Sequence, residues 1–258
     1  HIWCEVEAMI VAKQEAALAF ARQSLIEGKV VAIKGLGGFH LACDATNPEA
    51  VDTLRNRKLR VDKPFALMMP DVQTIEEHCV INDDERVLLL ARERPIVILE
   101  RRQQSQIAPS VAPHQTTLGV MLPYTPLHVL LLEVAEDFPK ALVMTSGNIS
   151  EEPIATQNEE ARERLSMLAD VFLMHDRGIQ TRCDDSVMRI LEEDIYPARR
   201  ARGYAPYHIH LDWEAPSILA TGGELKNTFC LTRKRFAFLS HHIGDMENYE
   251  TMQAFEEG

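Results

Sequence analysis

KVVAIKGLGGFHLACDATNPEAVDTLRNRKLRVDKPFALMM, residues 29–69, decides the fold class. The run KVVAIKG reads as a strand and leads into three glycines, Gly35, Gly37 and Gly38. Asn47-Pro48 then opens a helix over 48–57, because Asn accepts the free amides of a first turn and Pro is favoured inside it. That helix delivers Lys58, Arg60 and Lys63 to a second strand-like run, Phe65 to Met69. The alternation continues on both sides. Upstream, 12–27 carries apolar residues at helical spacing and stops at Gly28. Downstream, the pattern predicts helices over 83–93, 126–136 and 157–166. Strands are expected over 95–99, 117–122 and 141–145, and near 170–174 and 186–190. Such alternation predicts an α/β fold with a parallel or mixed sheet, both faces covered by helices.

The composition sets the outer bounds. With 258 residues, 46% hydrophobic and 26% charged, the chain reads as globular and long enough for one or two domains. No apolar run approaches the ~18 residues of a membrane span. The opening HIWCEVE has neither an initiator Met nor a signal-peptide pattern, so it reads as the interior of a longer protein. Residues 1–11 are therefore expected to be a remnant of an upstream region. The five cysteines are scattered, odd in number and without a CxxC pair. That usage fits reduced thiols in a cytoplasmic protein, and it argues against a disulfide framework or a closed zinc site. After Tyr207 the pattern changes. HIHLDWEAP reads as a connector, SILATGGELKNTFCLTRKRFAFLS as two or three short strands, and 245–258 as a helix. Roughly 45 residues bury little core of their own, so 208–258 reads as a linker and the truncated start of a second, β-rich domain.

At a net charge of −12 the chain has no general need for three cations within 58–63. They suit a polyanion, first of all a nucleotide triphosphate; the alternative is a solvated turn. Arg177, Arg182, Arg189, Arg199, Arg200 and Arg202 form a second basic cluster that can share one groove with the first. The acidic balance speaks against a general nucleic-acid-binding role. The three glycines match neither the dinucleotide nor the P-loop spacing. They leave either a backbone that a small ligand can approach, with Lys34 at its root, or a plain turn. In VMTSGNIS, 143–150, Thr145, Ser146 and Asn148 follow a strand end, where short polar side chains reach phosphate or ribose oxygens or simply form a turn. CDDSVMR, 183–189, offers Asp184 and Asp185 as magnesium ligands or turn caps, and Ser186 beside them. His40, Cys43 and Asp44 lack an orienting arrangement for a nucleophile. Ligands in such sheets sit beyond strand carboxyl ends, where these segments are expected to converge.

KGLGGFHLACDATN, RKLRVDKPFALM, GVMLPYTPLH, VMTSGNIS, CDDSVMR and RRARGYAP closely resemble the YrdC-like domain of the HypF family, the carbamoyltransferases of nickel–iron hydrogenase maturation. GGELKNTFCL and LSHHIGDMENYET resemble the start of the TsaD-like domain that follows it there. The resemblance implies a twisted open mixed sheet, with 12–207 as the adenylating domain and 208–258 as linker and truncated TsaD-like start. It implies ATP and Mg²⁺, and activation of carbamate, released from carbamoyl phosphate, to carbamoyl-adenylate. The carbamoyl group then passes to HypE with the help of acylphosphatase, zinc-finger and TsaD-like domains absent from this stretch. By the same resemblance Lys58 and Arg60 are catalytic, and Lys63, Ser146, Asn148, Ser186 and either Arg200 or Arg202 bind nucleotide. Relatives that make threonylcarbamoyl-adenylate carry PT(D/E)TVYGLG where this chain has KGLGGFHLA. Gly37 there replaces a hydroxyl, so Lys34, Gly37 and His40 are expected to hold a smaller substrate without the threonine moiety. The rival readings are a threonylcarbamoyl-adenylate synthase and a non-catalytic RNA-binding module.

Overall fold

The expected alternation folds into one large mixed sheet. The computed structural model describes residues 1–149, 152–247 and 249–257; Ser150 of VMTSGNIS and Gly258 of the tail lie outside the described residues. The sheet comprises β1 (Ile2–Val6), β2 (Met9–Lys13), β3 (Val31–Lys34), β4 (Phe39–Asp44), β5 (Ala66–Met68) and β6 (Cys79–Val80). It continues with β7 (Ile96–Arg101), β8 (Thr117–Met121), β9 (Leu142–Ser146), β10 (Val171–His175), β11 (Val187–Leu191) and β12 (Asp194–Arg199). Their order is β12-β11-β7-β8-β5-β9-β4-β3-β10-β1-β2, with β6 against β7. The pairs β10–β3, β11–β7 and β5–β8 are parallel, while β3–β4, β4–β9 and β5–β9 run antiparallel.

The helices are α1 (Glu15–Ile26), α2 (Pro48–Arg57), α3 (Val72–His78), α4 (Asp83–Leu90), α5 (Pro126–Leu131) and α6 (Asn158–Leu165). They divide between the two faces. Successive strand side chains point to opposite sides. Val31 and Ile33 of β3 thus pack with Ala21 and Leu25 of α1 and Leu131 of α5. Ala32 between them packs with Val51 and Leu54 of α2, Leu89 of α4 and Leu165 of α6.

Four expectations are corrected. The glycine stretch does not turn from strand to helix: it closes an antiparallel hairpin, with Lys34 opposite Phe39 and Val31 opposite Ala42. FHLACD is a short apolar run without alternation, which periodicity alone does not assign; strand neighbours on both sides, β3 and β9, settle it. Second, residues 1–11 are built into the sheet. β1 pairs with β10, β2 pairs with β1, and Glu5, only 2% exposed, receives two bonds of 2.8 Å from the Arg162 guanidinium. Third, α4 and α5 stop earlier than predicted, at Leu90 and Leu131. Last, the expected connector is β13 (His208–Ala215), which pairs with β15 (Cys230–Leu239); β14 (Leu219–Ala220) completes a second, three-stranded sheet. β13 ends just before Pro216, which lacks the amide a ladder needs. Helix α7 (Tyr249–Glu257) closes the described chain.

Candidate active site

The register of β4 on β9 sets His40 opposite Ser146, which joins the first and third sequence segments. The second joins them through one side chain. Just past α2, Lys58 turns inward and is 1% exposed. Its Nζ donates to Ser146 O at 2.7 Å, Asn148 O at 2.6 Å and Asn148 Oδ1 at 3.0 Å. Burial, with Arg60 and Lys63 close by, lowers its pKa to about 7, while three oxygen acceptors require the ammonium form. Ser146 Oγ donates to Asn148 Oδ1 at 2.7 Å, and Asn148 Nδ2 donates to Glu152 O. The Ser-Gly-Asn turn is therefore braced from two sides.

Arg60 sits at the rim. Its Nε and Nη2 donate to the carbonyls of Lys63 and Pro64, its Nη1 to Thr145 Oγ1 at 3.0 Å, and its guanidinium lies 4.8 Å from the Phe65 ring centroid. Beside it opens a cavity of about 410 Å³ on the sheet face running from β4 to β11. Arg60, Lys63, Arg199 and Lys226 supply cations to its wall. Phe65, Ala66, Ile96, Ile98, Gly119 and Val187 make an apolar floor, and Asp184, Asp185 and Asp245 bring carboxylates. His40, Ser146 and Asn148 also line it.

The other predicted residues lie off this wall. Ser186 is fully buried: its Oγ donates to Arg202 O at 3.0 Å and accepts from Ala201 N at 2.8 Å. Arg200 donates to the carbonyls of Leu239, Tyr204 and Tyr207. Arg202 donates to Asp185 Oδ1 at 2.7 Å and to the carbonyls of Glu93 and Arg94, with its guanidinium 3.5 Å from the Tyr124 ring centroid. Of this arginine run only Arg199 reaches the cavity. Lys34 is buried, with its Nζ on His175 O at 3.1 Å, and burial lowers its pKa. Gly37 packs on the Cys183 carbonyl; a Cβ there would lie 2.3 Å from that oxygen.

His40 is held by its neighbours. Its Nε2 lies 3.0 Å from Asp185 Oδ2, and Asp185 is fixed in turn by Arg202. Burial would raise the Asp185 pKa, but the His40 ring and the Arg202 guanidinium hold it well below the usual carboxylate range. Behind it, His128 is wholly buried against Tyr124, and burial pushes its pKa down to about 3, so the ring is neutral. Asp184 pairs with His242 Nδ1 at 3.1 Å. Among the described residues no three His, Cys, Asp or Glu side chains are grouped to hold a metal ion. With Asp184 and Asp185 already paired, these residues do not fit a dedicated magnesium cage; magnesium held chiefly by phosphates needs none.

Sequence reasoning missed the wall contributed by the second sheet's segment. Lys226, His242, Ile243 and Asp245 reach the cavity because His242 docks on Asp184 and donates its backbone N–H to Arg200 O at 3.0 Å. No local pattern announces a contact between residues 58 apart. Gln115, Thr117 and Gly119 were also missed, since their chemistry shows only once β8 lies between β7 and β5.

One prediction follows from Ser186. Ser186→Ala leaves the buried Ala201 N–H without a partner, so it should destabilise the fold by about 1–3 kcal/mol, read from the urea midpoint. An unchanged midpoint would show that this bond carries no stability.

A family profile described as Telomere recombination, covering Sua5, YciO and YrdC, matches residues 23–201. The chain belongs to the Sua5/YciO/YrdC family. A second profile, for the HypF Kae1-like domain, matches residues 214–258. Carbamoyltransferase HypF2 of Cupriavidus necator is 50% identical, over 90% of this chain and 31% of its own length. Carbamoyltransferase HypF of a Synechocystis species is 44% identical, over 97% of this chain and 32% of its own. A crystal structure of full-length HypF in a phosphate- and nucleotide-bound form superposes with a TM-score of 0.92 at 47% identity, covering 100% of this chain and 33% of that one. The chain thus spans about a third of the length of the relatives it matches. Family, sheet and downstream segment agree with the resemblance read from the motifs. No helix of the described residues is long and apolar enough to cross a membrane.

Proposed function

We propose that this domain activates carbamate with ATP, forming carbamoyl-adenylate and releasing pyrophosphate. The observation that carries the reading is one cavity with cations at its rim and an apolar floor beside them, at the meeting point of the Lys-x-Arg and Ser-x-Asn segments. The likeness to carbamoyltransferases, one of them nucleotide-bound, supports it.

A carbamate oxygen attacks the α-phosphorus of ATP; the new O–P bond forms as the bond to pyrophosphate breaks. Carbamate is already anionic, so no general base is needed, and catalysis consists of positioning and charge stabilisation. Arg60, Lys63 and Arg199 face the phosphates, with Ser146 and Asn148 at the α-phosphate end. Lys58 acts from beneath, holding the turn that presents those two side chains. Ser186, Arg200 and Arg202 brace the same walls from behind. His40 lines the acyl end, and Lys34 and Gly37, set behind the wall, hold the close-packed glycine loop there, which suits a small substrate. Magnesium, arriving with ATP, neutralises phosphate charge when bound. In the whole protein we place this step between release of carbamate from carbamoyl phosphate and transfer of the carbamoyl group to HypE, in the cytoplasm, where the free cysteines stay reduced.

ATP–pyrophosphate exchange tests this. Free carbamate should support exchange, while threonine plus bicarbonate should not. Exchange with threonine alone would transfer the domain to threonylcarbamoyl-adenylate chemistry, and salt-sensitive RNA binding without exchange would make it a binding module.

A further inference from the structure

A second hollow lies away from the nucleotide cavity and shares no residue with it. Pro70 and Pro123, just past the carboxyl ends of the parallel strands β5 and β8, begin its floor. The end of α4 and the outer side of α5 wall a groove of about 560 Å³. These walls are apolar yet solvated. Leu90 of α4 is 51% exposed, Val129 of α5 is 57% and Val134 just beyond it is 61%, and Leu130 beside them is exposed as well. Contiguous exposed apolar surface of this kind marks an interaction site. Its outer rim is fixed. The Arg22 guanidinium of α1 donates to the carbonyls of Leu131 and Glu133, both at 2.8 Å, which ties the end of α5 and the stretch after it to α1.

Sheet topology and charge together select the occupant. β5 and β8 each have a strand on both sides, so no free edge at the groove can accept an added strand. An occupant must pack side chains between helices, as an amphipathic helix does. Asp71 and Glu133 stand exposed among the lining residues, and Glu136 and Asp137 follow Glu133 in the same exposed stretch. Arg94 is the one cation among the lining residues, and its Nη1 donates to Leu89 O. A second copy docked here about a two-fold axis would set this acidic rim against itself, an arrangement that like charges disfavour. We infer that the groove receives a basic amphipathic helix of a partner protein. Its apolar residues, at i, i+3, i+4 and i+7, would pack on Leu90, Val129, Leu130 and Val134, and Lys or Arg on its flanks would meet Asp71 and Glu133. The groove stands apart from the adenylation site, so the inference does not depend on the reaction proposed above.

A fluorescent synthetic peptide with Leu at those four spacings and Lys on both flanks probes the groove by anisotropy. One control peptide scrambles the Leu positions at constant composition, and a second carries Glu in place of every Lys. At a physiological ionic strength of about 0.15 M the chain should bind the first peptide about tenfold more tightly than either control. Leu130→Asp and, independently, Val129→Asp place a charge at exposed positions of the wall and should each weaken that binding about tenfold. Glu133→Lys should narrow the gap between the Lys and Glu peptides to less than about threefold. All three variants should keep the wild-type urea midpoint and ATP affinity, which shows that the fold is intact. Equal binding of the scrambled peptide, or wild-type affinity in both aspartate variants, overturns the inference. So does a charge preference that survives Glu133→Lys, or no binding of any peptide. A dimer in sedimentation velocity that Leu130→Asp dissociates would make the occupant a second copy and overturn it too.

Discussion

Arg60→Ala should weaken ATP binding by about ten- to a hundredfold, with little change in thermal stability. A charge-assisted contact to phosphate contributes about 1.5–3 kcal/mol, which sets that range. The small effect on stability follows from where the side chain lies. Arg60 is only partly buried, and its partners include the carbonyls of Lys63 and Pro64 and the Thr145 hydroxyl, groups near the rim that water can reach when it leaves. Its position is set by those carbonyls and by the Phe65 ring under its guanidinium, so the fork is aimed before any ligand arrives. Arg60→Lys keeps the charge but loses that planar aim, and should fall between wild type and alanine. Titration calorimetry with ATP reads all three. An alanine variant with wild-type affinity would place the phosphates elsewhere in the cavity.

What could be read before folding was what local chemistry decides. Asn47 caps α2 as expected, its Oδ1 accepting from the amides of Glu49 and Ala50, because a cap needs only residues three apart. The basic cluster after that helix was legible as charge. The destinations of its members were not, since a lysine bound for the interior and an arginine bound for the rim look alike in one dimension. FHLACD gave no strand signal because a strand buried on both faces does not alternate. Strand β1, and the edge strand β2 that pairs with it, hid because the partner of β1, β10, lies about 170 residues downstream. The Arg199–Arg202 register was undecidable for a further reason. Arg200 and Arg202 are consumed by carbonyls and by Asp185, and only pairing of β12 with β11 points Arg199 at the cavity.

Lys58→Met should abolish pyrophosphate exchange, with a larger loss than Arg60→Ala, because it disorganises two cavity residues at once. The ammonium holds Ser146 O, Asn148 O and Asn148 Oδ1 together, and methionine fills the space while removing that shared donor; Ser146 O keeps the Asn148 N–H and Asn148 Oδ1 keeps the Ser146 hydroxyl, but nothing then ties the two to Asn148 O. Taking a charged donor from a partly buried acceptor such as Asn148 O costs about 1–3 kcal/mol, enough to loosen the turn. Stability should show the same group through pH. The Lys58 pKa falls from 10.5 when unfolded to about 7 when folded. Below about pH 7 both states are protonated, and the penalty of burying the charge is fully present. Between about pH 7 and 10.5 the unfolded chain binds the extra proton, so this group makes the fold more stable as pH rises. Other residues titrate in that window, so the diagnostic quantity is the difference between wild type and Lys58→Met in urea unfolding across it. The wild-type curve should climb more steeply. Parallel curves would mean that the ammonium stays charged throughout, its three oxygens outweighing burial, and the exchange defect would then report the turn alone.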